Sequence, residues 1–243
     1  MRVDAAATRS AYHRPMSAIA RPHDAADQLR GWIARHRRIF VLTGAGISTA
    51  SGIPDYRDAD GAWKRPPPVT YQAFVRDAAT RSRYWARAFV GWPRFSSALP
   101  NAAHAALARW EMERGALSML LTQNVDALHQ KAGSREVVDL HGRLDVVRCL
   151  ACAHVVEREP LQLRMAQDNP RWVGVQARPG PDGDADLEGL DFACFVVPPC
   201  PACGGMLKPD VVFFGENVPR ARVQAAFSAL QTSDALLVVG SSL

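Results

Sequence analysis

Four short apolar runs, each stopping at a loop of glycine, serine or amide residues, constrain the fold of this chain more than any other feature. Ile39 to Leu42 runs into Thr43-Gly44-Ala45-Gly46, and Leu117 to Leu121 into Thr122-Gln123-Asn124-Val125-Asp126. Val137 to Leu140 leads into His141-Gly142, and Leu236 to Val239 into Gly240-Ser241-Ser242. Between them lie stretches of helical spacing: 24–38, with Ala25, Leu29, Trp32 and Ile33 on one stripe; 85–92; 102–114, with Asn101 as N-cap; and a helix through Leu128 and His129. Strands alternating with helices predict an α/β fold, a Rossmann-like parallel sheet with helices on both faces. Ligands then bind beyond the carboxyl ends of the strands.

The texture changes between Arg148 and Gly205. Pro179 to Asp186 is turn chemistry, and two Cys-x-x-Cys pairs, Cys149/Cys152 and Cys200/Cys203, bracket the stretch. Each pair has the spacing at which one turn aims two sulfurs at a tetrahedral ion, so the four cysteines are assigned to one structural zinc. A closed four-sulfur shell leaves no position for a reacting water. Cys194, in Phe192-Ala-Cys-Phe-Val-Val, reads as a buried thiol.

The expected organisation is a disordered lead-in over 1–23, a Rossmann-like domain from 24–147 and 206–243, and a small zinc module over 148–205. The chain has 243 residues, 48% hydrophobic and 22% charged, and no apolar run nears the ~20 residues of a membrane helix. Its first 25 residues carry Arg2, Arg9, Arg14 and Arg21 but no apolar core of a secretory signal, so the expected compartment is the cytoplasm. The net charge is +5, but the 29 cationic residues are scattered, so neither nucleic acid nor a membrane is an expected partner.

Gly44-Ala45-Gly46 after a strand is a weak dinucleotide signal. The usual third glycine would fall at position 49, where Thr49 stands, so an ordinary hydride-transferring dehydrogenase is disfavoured. The small, polar stretch Ile47 to Arg57 reads as a loop over a ligand, with backbone amides near Gly44 to Ser48 facing a pyrophosphate and Arg57 a phosphate or ribose. Gln123, Asn124 and Asp126 either bind a ribose and a carboxamide ring or cap the following helix. His141 has the chemistry of a general base, or is a structural histidine in a turn.

Together these stretches resemble the sirtuins, NAD-dependent protein deacylases. The matching residues are Gly44 to Ser48, Gly52-Ile53-Pro54-Asp55-Tyr56-Arg57, Thr122 to Asp126, His141-Gly142, both cysteine pairs, Lys208 to Glu216 and Gly240 to Leu243, in family order from about residue 24 to the last. Phe89 to Ser97 and the long cysteine spacing are most similar to class II, the lipoamidase-like branch. The resemblance implies that Gly44, Ala45, Gly46, Ser48, Tyr56, Arg57, Gln123, Asn124, Asp126, Gly240, Ser241 and Ser242 bind NAD. Asn124 and Asp126 would line the nicotinamide pocket, the acyl-lysine oxygen would attack the ribose carbon, and His141 would deprotonate a ribose hydroxyl. Products would be nicotinamide, O-acyl-ADP-ribose and free lysine.

It further implies that a substrate peptide adds as a strand between Val212, Phe213, Phe214, Gly215 and Glu216 and the loop after Gly240. Tyr84 and Arg87, three apart on a helix, resemble a pair that grips acidic acyl chains, or else decorate an exposed face. The family continues past Gly-Ser-Ser-Leu with sheet and helix that grip the adenine ribose, so weak NAD binding is expected of this chain. A protein mono-ADP-ribosyltransferase and a non-catalytic zinc-stabilised binding module are the alternatives, and a monomer is the expected state.

Overall fold

The computed structural model describes residues 22–55, 68–114, 116–180, 182–187 and 189–241. The chain divides into two compact units, 1–35 and 36–243. The first contains helix α1, Pro22–Arg35, with Asp27 and Arg30 ion-paired one turn apart. The sequence reading carried this helix to Arg38; the helix ends three residues earlier.

In the second unit β1 (Ile39–Thr43) is buried over its whole length. Helices α2 (Tyr71–Arg76), α3 (Ala78–Ser96) and α4 (Ala102–Arg114) follow, then β2 (Leu117–Thr122), α5 (Leu128–Lys131) and β3 (Val137–Asp139). The starts of α2, α3 and α4 are capped by side chains. Thr70 accepts the Ala73 N–H at 3.2 Å, Asp77 accepts those of Ala79 and Thr80 at 3.2 and 2.9 Å, and Asn101 accepts that of Ala103 at 2.9 Å. The Asp77 cap is why α3 begins at Ala78 rather than at 85, where the apolar stripe first shows. Next come β4 (Gly142–Cys149), β5 (Val155–Glu157), α6 (Arg158–Asp168), β6 (Arg178–Pro179), β7 (Ala185–Asp186), β8 (Leu207–Val211), α7 (Arg220–Gln231) and β9 (Ala235–Val239).

The main sheet has the order β3-β2-β1-β9, every pair parallel, with Thr43 in register with Thr122 on one side and Val239 on the other. Alternate residues point to opposite faces. Phe40, Leu42 and Leu121 pack with Ala226 and Ala229 of α7. Thr43 points the other way, where its hydroxyl meets His129 of α5 at 2.9 Å, and the His129 ring lies 4.8 Å from that of His104 on α4. Helices therefore cover both faces, as the alternation of elements predicts.

A second sheet, β5-β4-β8, is antiparallel. β4 runs across residue 148, where the texture of the sequence changes, without a break. Its core is shared with α3: Trp85, Phe89, Leu161, Met165 and Phe195 form one buried cluster with Cys149 and Cys200. No described helix is long and apolar enough to cross a membrane. Cys194 is exposed rather than buried. It lies on a 3-10 turn capped by Asp191, to whose carboxylate its thiol donates at 3.1 Å, while its neighbour Phe195 faces the core.

Candidate active site and metal centre

The sheet order puts a topological switch between β1 and β9, because the chain leaves β1 towards β2 and returns on its other side. There the two strand-end loops are in backbone contact. A Cβ on Gly44 would lie 2.8 Å from the Gly240 carbonyl, and one on Gly46 2.9 Å from the Gly240 Cα. Gly240 itself has φ +66, and its Cβ would fall 2.2 Å from the Ile47 nitrogen. Glycine is needed on both sides for the loops to approach this closely. The amides of Gly44, Gly46 and Ile47 donate to Val239, Gly240 and Gly44 carbonyls at 3.1, 2.8 and 3.1 Å. Three of the amides of Gly44 to Ser48 are thereby committed within the protein, those of Gly44 and Gly46 across the seam and that of Ile47 within its own loop.

Past β2, Gln123 is stitched to both neighbours. Its N–H donates to the Thr43 carbonyl at 2.9 Å, and Ser241 Oγ donates to its Oε1 at 3.2 Å. The next residues close a polar knot with Ser48, the buried serine of the β1 loop. Ser48 Oγ donates to Asp126 Oδ2 at 2.7 Å, and Asn124 Nδ2 donates to Ser48 Oγ at 3.0 Å. Asp126 Oδ1 accepts the Leu128 N–H at 2.9 Å, so the carboxylate caps α5 and holds Ser48 at once. Asn101 steadies the loop, donating to the Ile47 carbonyl at 2.8 Å and to Ser51 Oγ at 3.0 Å.

His141 stands at the end of β3, with Nδ1 3.1 Å from the Gln123 carbonyl. A carbonyl can only accept, so Nδ1 carries the proton and Nε2 is left bare, the tautomer a base requires. Burial lowers its pKa from the usual histidine value, with Arg222 adding to the effect and the Gln123 contact opposing it. Its carbonyl accepts the Val212 N–H at 2.8 Å, joining this strand end to the segment after β8. Gln123, Asn124, Asp126, Ser48, His141, Gly240 and Ser241 are thus brought to one edge. Tyr56, Arg57 and Ser242 lie outside the described residues.

The segment 212–216 departs from the sequence reading. Phe213 and Glu216 are tied twice, the Phe213 N–H donating to the Glu216 side-chain carboxylate at 2.9 Å and the Glu216 N–H to the Phe213 carbonyl at 2.9 Å. Phe214 and Gly215 carbonyls accept from Tyr71 N–H and Gln72 Nε2, both at 2.9 Å. Glu216 pairs at 3.1 Å with Lys208, a buried ammonium lying 4.7 Å above the Phe213 ring. Burial lowers the Lys208 pKa and Glu216 counters it. Glu216 is therefore the counter-ion of a buried lysine and the clasp of this loop; only Phe214, about half exposed, presents a large apolar ring outward.

Tyr84 and Arg87 share a helix face, and neither decorates an exposed surface. Tyr84 packs at 5.4 Å on Phe74 and 5.1 Å on Phe213, and Arg87 is bound to Asp184. Sequence reasoning assigns no contact to Asp184, to Lys208 or to the pair His104/His129; the partner of Asp184 lies 97 positions away and the two histidines 25 apart.

The four sulfurs of Cys149, Cys152, Cys200 and Cys203 all lie within 4.8 Å of one another, with Cys149–Cys203 at 3.5 Å and Cys152–Cys200 at 3.8 Å. Four thiolates at Zn–S distances of about 2.3 Å in a tetrahedron stand about 3.8 Å apart, so the donor set fits zinc. Gly205 completes the cradle: a Cβ there would sit 3.1 Å from the Sγ atoms of both Cys149 and Cys203. Backbone N–H donors, that of Cys152 first, draw the Cys149 thiol down to about 6, whereas the neighbouring sulfurs, Cys152 first, push Cys203 up to about 12. Four sulfurs this close cannot divide their protons comfortably, and a cation resolves the conflict.

A family model described as Sir2 family matches residues 44–243. The NAD-dependent protein deacetylase of Xanthomonas axonopodis pv. citri (strain 306) is 64% identical over 215 residues, 88% of this chain and 73% of that protein. The human mitochondrial NAD-dependent protein lipoamidase sirtuin-4 is 50% identical over 219 residues, 89% of this chain and 69% of that one. Among solved structures, a Sir2–p53 peptide–NAD+ complex covers 88% of this chain and 75% of its own, with 29% identity and a TM-score of 0.67. A Sir2 protein bound to a propionylated peptide covers 89% and 75%, with 28% identity and a TM-score of 0.64.

Proposed function

Because the chain belongs to the Sir2 family, we propose that it is an NAD-dependent protein-lysine deacylase whose substrates are acyl-lysine side chains of proteins. One observation carries this reading at the level of residues. The bare Nε2 of His141 sits on the same strand-end edge as the Ser48–Asn124–Asp126 knot, tied to it through the Gln123 carbonyl. NAD, when bound, supplies an activated ribose carbon, and the close Gly44/Gly46–Gly240 seam is a crossing point of the kind that admits a dinucleotide.

The chain's own residues have three tasks. Asn124 and Asp126 orient the carboxamide ring, Asn124 held by Ser48 and by its own N–H on Thr122 Oγ1 at 3.1 Å. His141 takes a proton at Nε2 from a ribose hydroxyl; its lowered pKa keeps it neutral near pH 7. Phe214, half exposed beside the committed backbone of 213–216, meets the peptide. The four cysteines hold a structural zinc that closes the module 148–205, in a monomer acting in the cytoplasm.

Incubating the protein with NAD and acetyl-, propionyl- or glutaryl-lysine peptides, followed by mass spectrometry, is expected to give nicotinamide, O-acyl-ADP-ribose and deacylated peptide. His141→Ala is expected to lower turnover by ~10²–10⁴. A peptide that gains the mass of ADP-ribose would point to transfer instead. No nicotinamide release with any acyl peptide would overturn the proposal.

A further inference from the structure

Behind the strand ends lies a buried histidine that the proposed chemistry does not use. His129, on α5, meets Thr43 Oγ1 through Nε2 at 2.9 Å, and Thr43 donates its own hydroxyl proton to Thr122 Oγ1 at 2.8 Å. A hydroxyl that gives its proton to one neighbour can only accept from the other, so Nε2 carries the imidazole proton. Burial, with His104 beside it, draws the His129 pKa down to about 4, so the ring holds that proton alone at neutral pH. Thr122 Oγ1 accepts a second time, from the Asn124 N–H at 3.1 Å. A chain of hydrogen bonds thus runs from α5 across the last residues of β1 and β2 to the side chain assigned to the carboxamide ring.

The chain closes on itself. Asn124 Nδ2 donates to Ser48 Oγ, Ser48 donates to Asp126 Oδ2, and Asp126 Oδ1 accepts the Leu128 N–H at the start of α5, the helix that carries His129. Because the Ser48 proton goes to Asp126, Ser48 can only accept from Asn124, which settles which end of that amide faces it. Asn124 is held at two points, its N–H by Thr122 and its Nδ2 by Ser48. Its Oδ1 has no partner among the described residues and is left as an acceptor for a ligand amide.

The sheet does not need these hydroxyls. Thr43, Thr122 and His129 are buried, and valine has the shape of threonine and suits a buried parallel strand as well. Replacing both members of a buried hydrogen-bonded pair by apolar groups of the same shape is close to neutral for stability. What an apolar pair could not do is receive the Asn124 N–H, whose only acceptor among the described residues is Thr122 Oγ1. The imidazole anchors the far end. Its donor holds the Thr43 hydroxyl, and Thr43 in turn keeps Thr122 in the rotamer that faces Asn124.

Resting on the deacylase reading above, we propose that His129 is a positioning residue for the carboxamide of NAD: through Thr43 and Thr122 it fixes the Asn124 backbone and with it the direction of Asn124 Oδ1.

Two measurements on the whole chain test this. Hydrogen exchange without ligand, read by NMR at single amides, compares Asn124 with Gln123, whose N–H donates to the Thr43 backbone carbonyl and so lies outside the relay. Calorimetry compares NAD with ADP-ribose, which lacks the nicotinamide ring, as a ratio of dissociation constants. His129→Phe and Thr43→Val cut the relay without touching Asn124, and Thr43→Val also keeps the shape of the strand should His129→Phe fail to fold. In both, Asn124 is expected to exchange about fivefold faster while Gln123 holds, and NAD to weaken about fivefold relative to ADP-ribose, the scale of one net hydrogen bond. His129→Gln, which keeps a donor where Nε2 stood, is expected to behave as wild type in both. Faster exchange at Gln123 and Asn124 alike, an NAD-to-ADP-ribose ratio that does not move in Thr43→Val, or the same loss in His129→Gln as in His129→Phe overturns the proposal. A wild type that binds NAD but deacylates no acyl peptide sinks the deacylase reading, while the exchange and binding ratios still decide the role of His129.

Discussion

Three buried or half-buried imidazoles stand behind the strand ends, and burial lowers the pKa of each. His129 is the extreme case, drawn down to about 4 by burial and by the neighbouring His104. Thr43 donates its hydroxyl proton to Thr122, so His129 Nε2 donates to Thr43 and its Nδ1 is left bare and unpartnered among the described residues. The unfolded chain takes up this proton near pH 6.5, whereas the folded chain refuses it until about pH 4. Stability from this site is therefore complete above pH 6.5 and is lost as pH falls towards 4, by about 2 kcal/mol at pH 5. Urea unfolding at pH 7.5 and pH 5 is expected to show a loss smaller by about that amount in His129→Gln than in wild type. Equal losses would mean that His129 is not the group responsible. None of this is legible in the sequence, because His104 and His129 are 25 positions apart and look alike to His36 or His154; only packing under the sheet distinguishes them.

At the scale of elements, the apolar runs are legible because period and burial coincide in a parallel strand, and β1, β2, β3 and β9 stand within a residue or two of where they read. β4 and β8 are harder, since their ladder is interrupted by a shift in register between Arg143 and Val147 and carries charged residues such as Arg148 and Asp210, which pair with each other across it. The loop seam offers a test of element-level geometry. Gly52 and Gly240 both have positive φ, +83 and +66, but a Cβ on Gly52 meets nothing within 4 Å whereas one on Gly240 strikes the Ile47 backbone. Gly52→Ala is expected to cost about 1 kcal/mol of backbone strain alone. Gly240→Ala is expected to cost more than twice that, lowering the melting temperature by roughly 4–8 °C, and to lose NAD binding in calorimetry. Equal melting temperatures for the two variants would show that the seam yields.

For the molecule as a whole, the zinc site and the helical layer share one interior, as Cys149 and Cys200 belong to the same buried cluster as Trp85 and Phe89 of α3. The purified protein is expected to carry one zinc per chain. Removing it by chelation, or replacing Cys200 with serine, is expected to change the near-ultraviolet signal of the buried tryptophans and to lower solubility, because a closed thiolate site contributes folding free energy directly. Stoichiometric zinc whose removal left the aromatic signal and the melting temperature unchanged would contradict this coupling.

The sequence by itself determined the parallel sheet, the four sulfurs and the strand-end residues, since period, spacing and residue type are local and survive without knowledge of the partner. Tertiary structure alone decided what those residues touch: that the amides of Gly44 and Gly46 are consumed by the seam, that Glu216 answers a buried lysine, and that Arg87 is held by an acid 97 positions away. Hydrogen bonds and ion pairs form between groups that folding brings together. Their partners follow from the path of the chain through space, which no local pattern records.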